Sequence, residues 1–468
     1  MYLSLFNVYV PLSGPFVLLF NSISRRLIRI SSEELSDLES GSLPPWNPLI
    51  LRLLDGHFVT PDPQKQYETL RSLDHSSKKS PSTHHLTLMM SEACNFSCSY
   101  CNQGSHKDSL TLSRDTFDSI ISYVNHVSKP NHILDVSWFG GEPLLHLKLL
   151  AGYSKELSSL CAGLGVHFKS RVITNGYLLN PSAVGLLLSS SITGAQVSFD
   201  GSFADHNASR YIHPGHDSYS QILNNIAESL QSFPDFSIVL RVNSTSQNIS
   251  HHKQLIDNLY DRGLSGLSNF YVYWGHIYDP TLSRIADAQS IDSILLSHQD
   301  FADAELNLNR YLRERGFQPS KSINLTQGNC IATQQTSLLV RPNGDLHKCY
   351  IPVSNPSYGV GHIDDFLSIG SNDVFTTWNN WSAFDESTCS GCRLLGSCRG
   401  GCPINYIMPD FRTGDYRCPP NKLRLNEHLF DIALDLGIVT SDDWSDSRSS
   451  TDLSSLRMSV DPSSKSLC

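Results

Sequence analysis

The chain has 468 residues, of which 40% are hydrophobic and 17% are charged, and its formal net charge is −10. This length predicts roughly two to four domains with sizeable cores. The composition excludes a wholly disordered chain, a collagen-like repeat and a disulfide miniprotein. The negative charge argues against nucleic acid or an anionic membrane as the main partner.

Residues 1–60 predict a small α+β module. Two apolar runs flank a turn at Ser13-Gly14-Pro15, and Ser31 or Ser32 is a candidate cap for a short helix. The interrupted opening segment lacks a basic region, so it predicts strands and not a signal peptide or membrane span. A cytoplasmic chain, in which thiols stay reduced, is therefore expected. Residues 61–84 are polar and rich in Pro, Ser and Lys, which predicts a linker.

Residues 85–315 alternate between apolar strands and amphipathic helices. This alternation predicts an α/β fold with six parallel strands, joined by right-handed crossovers and with chemistry at their carboxyl ends. The predicted strands are 85–91, 132–139, 167–174, 194–199, 236–243 and 270–274. The predicted helices are 113–127, 144–162, 181–190, 218–231, 250–263 and 282–315.

Residues 316–435 are rich in cysteine and glycine, as expected of a small metal-stapled domain. Residues 436–468 are rich in Ser and Asp, which predicts a disordered tail. The twelve cysteines are Cys94, Cys98, Cys101, Cys161, Cys330, Cys349, Cys389, Cys392, Cys398, Cys402, Cys418 and Cys468. In a reducing compartment, such clusters indicate metal ligands before disulfides.

The first cysteine cluster follows the first predicted strand of the α/β region. Cys94, Cys98 and Cys101 have the spacing C-x3-C-x2-C. Three thiolates from one loop can hold three irons of a [4Fe–4S] cube and leave the fourth iron open to a ligand. The alternative is a zinc loop with a distant fourth ligand.

This cysteine spacing resembles that of the radical S-adenosylmethionine (SAM) superfamily. The resemblance extends to Gly140-Gly141-Glu142-Pro143 after the second strand, which is similar to an element that holds the amino group of SAM in that family. Glycines permit close backbone approach to a ligand, and a carboxylate can pair with an ammonium group.

Further polar residues at the strand ends resemble SAM-binding positions of the family, and Tyr100 matches an aromatic position near the adenine. The remaining candidates are Thr174, Asn175, Ser198, Asp200, Arg210, Arg241 and Asn243. The resemblance therefore implies a partial (βα)6 radical SAM barrel.

The second cysteine constellation consists of Cys330, Cys349, Cys389, Cys392, Cys398, Cys402 and Cys418. The spacing of these seven cysteines is similar to that of the SPASM domain, a C-terminal extension of some radical SAM enzymes. Gly344 also matches the pattern of that domain. The resemblance implies two auxiliary clusters, one held by Cys330, Cys349 and Cys402, and the other by Cys389, Cys392, Cys398 and Cys418. One or two structural zinc ions are the alternative.

The resemblance implies three [4Fe–4S] clusters, SAM as the cofactor, and an electron donor such as flavodoxin or ferredoxin. The cluster held by the first three cysteines reductively cleaves SAM, and the resulting 5′-deoxyadenosyl radical abstracts a hydrogen atom. No nucleic acid or membrane partner is expected. The module at residues 1–60 resembles an element that holds the leader of a precursor peptide.

The implied function is maturation of a ribosomally synthesised peptide through a crosslink or another oxidative modification. One alternative is an anaerobic sulfatase-maturing enzyme that makes formylglycine. That family has an acidic base directly after the cysteine corresponding to Cys349, where this chain has Tyr350. Another alternative is a non-catalytic scaffold that uses its cysteines to bind zinc and its barrel to bind a peptide.

Overall fold

A computed structural model describes residues 1–79, 82–98, 100, 101, 103, 110–277, 294–318, 330–408, 417–444 and 453–458. The chain divides into two compact units, each built from segments that are distant in sequence. The first unit comprises residues 1–79, 320–330 and 380–468, and the second comprises residues 80–319 and 331–379. The predicted cysteine-rich domain at 316–435 is thus divided between the two units.

Residues 1–79 form the α+β part of the first unit. Three strands pair in the antiparallel order β2-β3-β4, and β1 pairs with β5. The Oγ of Ser31 accepts the N–H of Glu34 at 3.0 Å, which confirms the predicted helix cap. The elements are β1 (Tyr2–Leu3), β2 (Asn7–Pro11), β3 (Phe16–Asn21), β4 (Arg26–Ser31), α1 (Ser32–Ser40), α2 (Pro48–Asp55), β5 (Val59–Thr60) and α3 (Pro63–Lys79).

Helix α3 lies where the sequence predicted a linker, so the linker prediction is wrong for residues 63–79. The helix buries Tyr67, Asp74 and Lys78 on one face. Two of these three residues are charged, so the face lacks the apolar periodicity by which a buried helix is recognised.

The second unit contains one large sheet. Its strands are β6 (Thr83–Ser91), β7 (Ile133–Gly140), β8 (His167–Thr174), β9 (Gly194–Phe199), β10 (Ser237–Ser244), β11 (Phe270–His276), β12 (Ser337–Val340), β13 (Asp345–His347) and β14 (Gly359–His362). In the described residues their order is β11-β10-β9-β8-β7-β6-β12-β13-β14. Strands β6 to β11 are parallel, which confirms the predicted α/β fold.

In the described residues the second unit has eight helices, six of them at positions that alternation predicted. They are α4 (Arg114–Val127), α5 (Leu147–Leu164), α6 (Pro181–Leu188), α7 (Phe203–Ser209), α8 (Ser218–Ser232), α9 (His252–Asp261), α10 (His298–Glu314) and α11 (Asp373–Asn380). The sequence patterns did not predict α7 and α11, and residues 282–293 of the last predicted helix lie outside the described residues. Alternate residues of β7, namely Leu134, Val136 and Trp138, are fully buried in the core of the unit.

Strands β12 to β14 extend the sheet beyond the six predicted strands. Strand β12 pairs in parallel with β6, and β13 and β14 follow as antiparallel strands. Residues 331–379 consequently belong to the same compact unit as the parallel strands.

The cysteine-rich part of the first unit has short helices, α12 (Leu395–Cys398), α13 (Ile404–Ile407) and α14 (Leu425–Asp435). Part of the predicted disordered tail is ordered. The ring of Trp444 lies 4.7 Å from that of Phe430, and the carbonyl of Leu456 accepts the N–H of Arg393 at 2.8 Å. The rest of the tail, including Cys468, lies outside the described residues. Across the described ranges, no helix combines the length and apolar character needed to cross a membrane.

Candidate functional site

The first cysteine loop leaves the carboxyl end of β6. Burial raises the pKa of the Cys98 thiol to about 11, while Arg210 acts to lower it and Asp200, Cys101 and Cys94 act to raise it. The three predicted cluster ligands are thus close enough to interact electrostatically, beside a guanidinium group that favours thiolates. This donor set fits the cluster implied by the sequence.

Two glycines bring the end of β7 against this loop. Gly140 has φ of 129°, and a Cβ atom on it would lie 2.2 Å from the carbonyl oxygen of Ser91. A Cβ atom on Gly141 would lie equally close, 2.2 Å, to the carbonyl oxygen of Ala93. Only glycine permits this approach, so the two residues position the next residue, Glu142, beside the cysteine loop.

The Glu142 carboxylate is fully buried and accepts three hydrogen bonds. Its Oε1 accepts the N–H of Leu144 at 2.9 Å and the hydroxyl of Thr174 at 2.8 Å, and its Oε2 accepts the N–H of Asn175 at 2.7 Å. Burial raises the pKa of Glu142 above its usual value, and these donors offset part of that increase. Pro143 begins the short 3-10 helix Pro143–His146 that follows.

A buried hydrogen-bond network joins the ends of β9 and β10 to the cysteine loop. The Tyr100 hydroxyl donates to Asp200 Oδ1 at 2.6 Å, and Ser209 Oγ donates to Asp200 Oδ2 at 2.6 Å. Arg210 and Asn243 each donate to the Tyr100 hydroxyl at 3.1 Å, and Asn243 also donates to Asp200 at 3.1 Å. Burial raises the pKa of Tyr100 well above its usual value, and Asp200 raises it further. This tyrosine–aspartate network, formed by Tyr100, Asp200, Ser209, Arg210 and Asn243, lies beside Cys98.

In the described residues, two further predicted residues form no hydrogen bond with this network. Ser198 and Arg241 are register partners on β9 and β10. Arg241 directs a hydrogen bond to Tyr350. The structure therefore brings most of the predicted SAM-binding residues together, but places Arg241 toward a different neighbour.

Some polar residues of the site were not predicted from the sequence. Asn175 donates to Asn95 Oδ1 at 2.7 Å, and Gln103 donates to the carbonyl of Gly140 at 2.9 Å. Asn95 and Gln103 flank or lie within the cysteine loop, so their position could have drawn attention to them. Ser209 is brought to the network by helix α7, which the sequence analysis did not predict.

In the first unit, four cysteines surround one buried lysine. Lys422 Nζ lies 3.7 Å from Cys418 Sγ and 4.0 Å from Cys392 Sγ. Burial acts to lower the pKa of Lys422, but Cys398, Cys392, Cys418 and Cys389 raise it, and the net pKa is above its usual value. These are the four cysteines that the resemblance assigned to one auxiliary cluster.

Two of the other three cysteines also lie together in this unit. Burial raises the pKa of the Cys402 thiol to about 12, and the nearby Cys330 thiol raises it further. The remaining predicted ligand, Cys349, belongs to the second compact unit, and its assignment stays a prediction.

In the described ranges, no three His, Cys, Asp or Glu side chains converge closely enough to hold a single metal ion.

The chain is similar to known proteins over much of its length. Residues 88–259 match the Radical SAM superfamily. Over 347 residues the chain is 21% identical to the radical SAM cyclopropyl synthase TigE of Paramaledivibacter caminithermalis, a match that covers 68% of this chain and 67% of TigE.

Solved structures show the same fold at low identity. The structure of anSMEcpe with bound AdoMet and Cp18Cys peptide has a TM-score of 0.55 at 16% identity, covering 76% of this chain and 98% of that chain. Streptococcus suis SuiB bound to precursor peptide SuiA has a TM-score of 0.50 at 16% identity, covering 89% and 99%. These likenesses confirm the predicted fold class.

Proposed function

We propose that this chain, whose residues 88–259 match the Radical SAM superfamily, is a maturase of a ribosomally synthesised peptide, from which it abstracts a hydrogen atom. The product carries a crosslink or another oxidative modification. The observation that carries the proposal is the convergence of Cys98, Glu142 and the tyrosine–aspartate network at the carboxyl ends of parallel strands.

In this proposal, Cys94, Cys98 and Cys101 hold a [4Fe–4S] cluster with one open iron. When bound and reduced, this cluster would supply the electron for the reductive cleavage of SAM. Glu142 binds the ammonium group of SAM, and the tyrosine–aspartate network orients the nucleoside part. Gly140 and Gly141 let the end of β7 approach the cysteine loop, which brings Glu142 to the proposed SAM site.

We assign the other seven predicted ligands to two auxiliary [4Fe–4S] clusters. The grouping of four thiols around Lys422 supports one of them, and the pairing of Cys330 with Cys402 supports the other. With Cys349 as a further ligand of the second group, the chain would hold three clusters. Such clusters can take up the electron that remains when a substrate is oxidised.

The proposed substrate class rests on relatives that are seen with peptides. SuiB is bound to precursor peptide SuiA and anSMEcpe to the Cp18Cys peptide. A flavodoxin or ferredoxin is the proposed electron donor. Because the cysteines that hold an iron–sulfur cluster must stay reduced, we place the reaction in the cytoplasm.

The formylglycine-generating alternative needs an acidic residue directly after Cys349. This chain has Tyr350 at that position, which argues against the alternative. Aldehyde formation on a sulfatase-motif peptide would favour that alternative. The zinc scaffold is tested by metal content, because it predicts zinc without iron.

Co-expression with short open reading frames that neighbour the gene, followed by intact-mass analysis, tests the proposed function. A precursor that loses two hydrogen atoms, or multiples of two, would support a crosslink or oxidation. The Cys98→Ala variant should leave the precursor unchanged. Unaltered masses for every plausible precursor would count against the maturase.

Replacing Glu142 by glutamine should weaken SAM binding by roughly tenfold or more, because a charge-assisted hydrogen bond is worth ~1.5–3 kcal/mol. Anaerobic equilibrium dialysis of the reconstituted protein measures this affinity. Glu156→Gln, which changes an exposed carboxylate on α5, is the control. Unchanged SAM affinity in a folded Glu142→Gln protein would refute the role of this carboxylate.

Replacing Lys422 by methionine should lower the reduction potential of one auxiliary cluster, since its positive charge stabilises the reduced, more negative state. A charge ~5 Å away at an effective dielectric constant of ~20 contributes ~3 kcal/mol, which sets an upper limit of roughly 130 mV for one electron. A redox titration followed by electron paramagnetic resonance measures the shift. Lys79→Met, at the exposed end of α3, should show no shift, whereas equal potentials in both variants would contradict the assignment.

A further inference from the structure

Arg241 lies on β10, two residues before Asn243, and forms no hydrogen bond with the tyrosine–aspartate network in the described residues. In the register of the sheet it faces Tyr273 on β11, and Gly275 follows two residues later on that strand. A Cβ atom on Gly275 would lie 2.7 Å from Arg241 Nε and 3.3 Å from Arg241 Cγ. The Arg241 side chain therefore occupies the space that a side chain at position 275 would fill.

The guanidinium group of Arg241 has unfilled hydrogen-bonding capacity. Its Nε atom is buried and has no acceptor in the part of the chain that the structure describes, and no carboxylate there forms an ion pair with Arg241. Burial acts to lower the pKa of Arg241, but Tyr273, Tyr350 and Tyr100 raise it, so the group stays charged. A buried cation without a counter-ion is costly, and a bound anion removes that cost.

Two tyrosines flank the guanidinium and open the site to solvent. Tyr350 forms a hydrogen bond with Arg241 and lies with its ring 5.9 Å from that of Phe139. The Tyr273 hydroxyl donates to Gln196 Oε1 at 3.2 Å. Tyr350 is 45% exposed and Tyr273 37% exposed, so a ligand has access to the guanidinium group and the Tyr350 hydroxyl, and to the Tyr273 hydroxyl when it exchanges Gln196 for the ligand.

We propose that Arg241, Tyr273 and Tyr350 bind a carboxylate group of the peptide substrate. The group comes from an Asp or Glu side chain or from the C-terminus of the peptide. Arginine suits this role because its planar fork forms two parallel hydrogen bonds with a carboxylate. The inference rests on the proposed function in one respect, namely that the substrate is a peptide.

The carboxylate of SAM is the competing occupant, and the strand geometry favours the substrate. Arg241 lies two residues before Asn243 on β10, which places its backbone ~6.6 Å farther from the strand ends than that of the tyrosine–aspartate network. Arg241 also hydrogen-bonds Tyr350, which follows the strands β12 and β13 and not the cysteine loop.

Three short peptides test the proposal on the full, reconstituted chain with SAM present. They are acetyl-Gly-Glu-Gly-amide, acetyl-Gly-Gln-Gly-amide and acetyl-Gly-Gln-Gly with a free C-terminus, and nuclear magnetic resonance titration measures their binding. We expect wild type to bind at least one of the two carboxylate peptides about tenfold more tightly than the neutral peptide. Which of the two is preferred distinguishes a side-chain carboxylate from a C-terminal one.

The preference should disappear in Arg241→Gln and weaken in Gly275→Ala, which moves the guanidinium without removing its charge. Arg52→Gln, at an exposed position on α2, should keep the preference, and thermal unfolding of each variant confirms that it folds. Equal binding or no binding of the three peptides by wild type would overturn the proposal. The proposal would also be overturned by a folded Arg241→Gln protein that keeps the preference for the carboxylate peptides. A folded Arg241→Gln protein that loses only its affinity for SAM would overturn it as well.

This test does not depend on peptide modification. Loss of the carboxylate preference is measured by binding alone, whereas failure of the proposed maturase is measured by precursor mass and SAM cleavage. The two ideas can therefore fail separately.

Discussion

Replacing Cys98 by alanine should abolish SAM cleavage. Cys98 is one of three thiols in the loop after β6, and it lies within electrostatic reach of Cys94, Cys101 and Arg210. Loss of a ligand leaves two thiolates for a cluster that needs three from this loop. Changing even an outer-shell partner of a ligand costs ~10–100-fold in metal affinity or activity, so removal of the ligand should cost more than about a hundredfold.

Anaerobic assay of 5′-deoxyadenosine by chromatography measures this loss, and Cys161→Ala is the matched control. Cys161 is a thiol on α5 that is fully buried in the hydrophobic core of the second unit. Its replacement removes one cysteine without touching a predicted ligand, so iron content and cleavage should stay near those of wild type. Equal cleavage by Cys98→Ala and wild type would refute the assignment of the cluster.

Replacing Asp74 by alanine should destabilise the first unit by about 3–5 kcal/mol, the usual cost of removing one partner from a buried ion pair. Asp74 Oδ2 accepts Lys78 Nζ at 2.5 Å and Ser382 Oγ at 2.7 Å, and Asp74 Oδ1 accepts an Arg399 N–H at 3.2 Å. Without the carboxylate, two cations are left inside the unit with no counter-charge from Asp74.

Urea unfolding followed by hydrogen exchange at α3 measures the free energy of this unit separately from the second unit. Glu39→Ala, which changes an exposed carboxylate on α1, should alter the free energy of unfolding by less than ~0.5 kcal/mol. A loss of less than ~1 kcal/mol in Asp74→Ala would show that the network contributes little, as is common for exposed ion pairs.

The sequence identified the six parallel strands because their residues alternate or run apolar between polar turns. Strand β9, for example, has the predicted bounds Gly194–Phe199. Helix α3 was not predicted because its buried face contains the ion pair of Asp74 and Lys78. Charged residues in a sequence indicate an exposed surface, so a buried ion pair hides the pattern of a packed helix.

Some residues of the candidate site were predictable from local sequence patterns, and others were not. Local motifs identified Cys98 and Glu142, since each stands in a short pattern with its neighbours. Lys422 and Tyr350 were not assigned a role in the site, because their partners lie far away in sequence or on other strands. Arg241 was identified as a site residue, but only the structure places it beside Tyr350 and Tyr273 and not in the tyrosine–aspartate network.

The most direct test of the central claim is SAM cleavage by protein that has been purified and reconstituted without oxygen. With reductant present, we predict equal amounts of 5′-deoxyadenosine and methionine, and about twelve irons and twelve sulfides per chain if all three clusters form. Stoichiometric zinc without iron after reconstitution, with no 5′-deoxyadenosine, would contradict the radical mechanism.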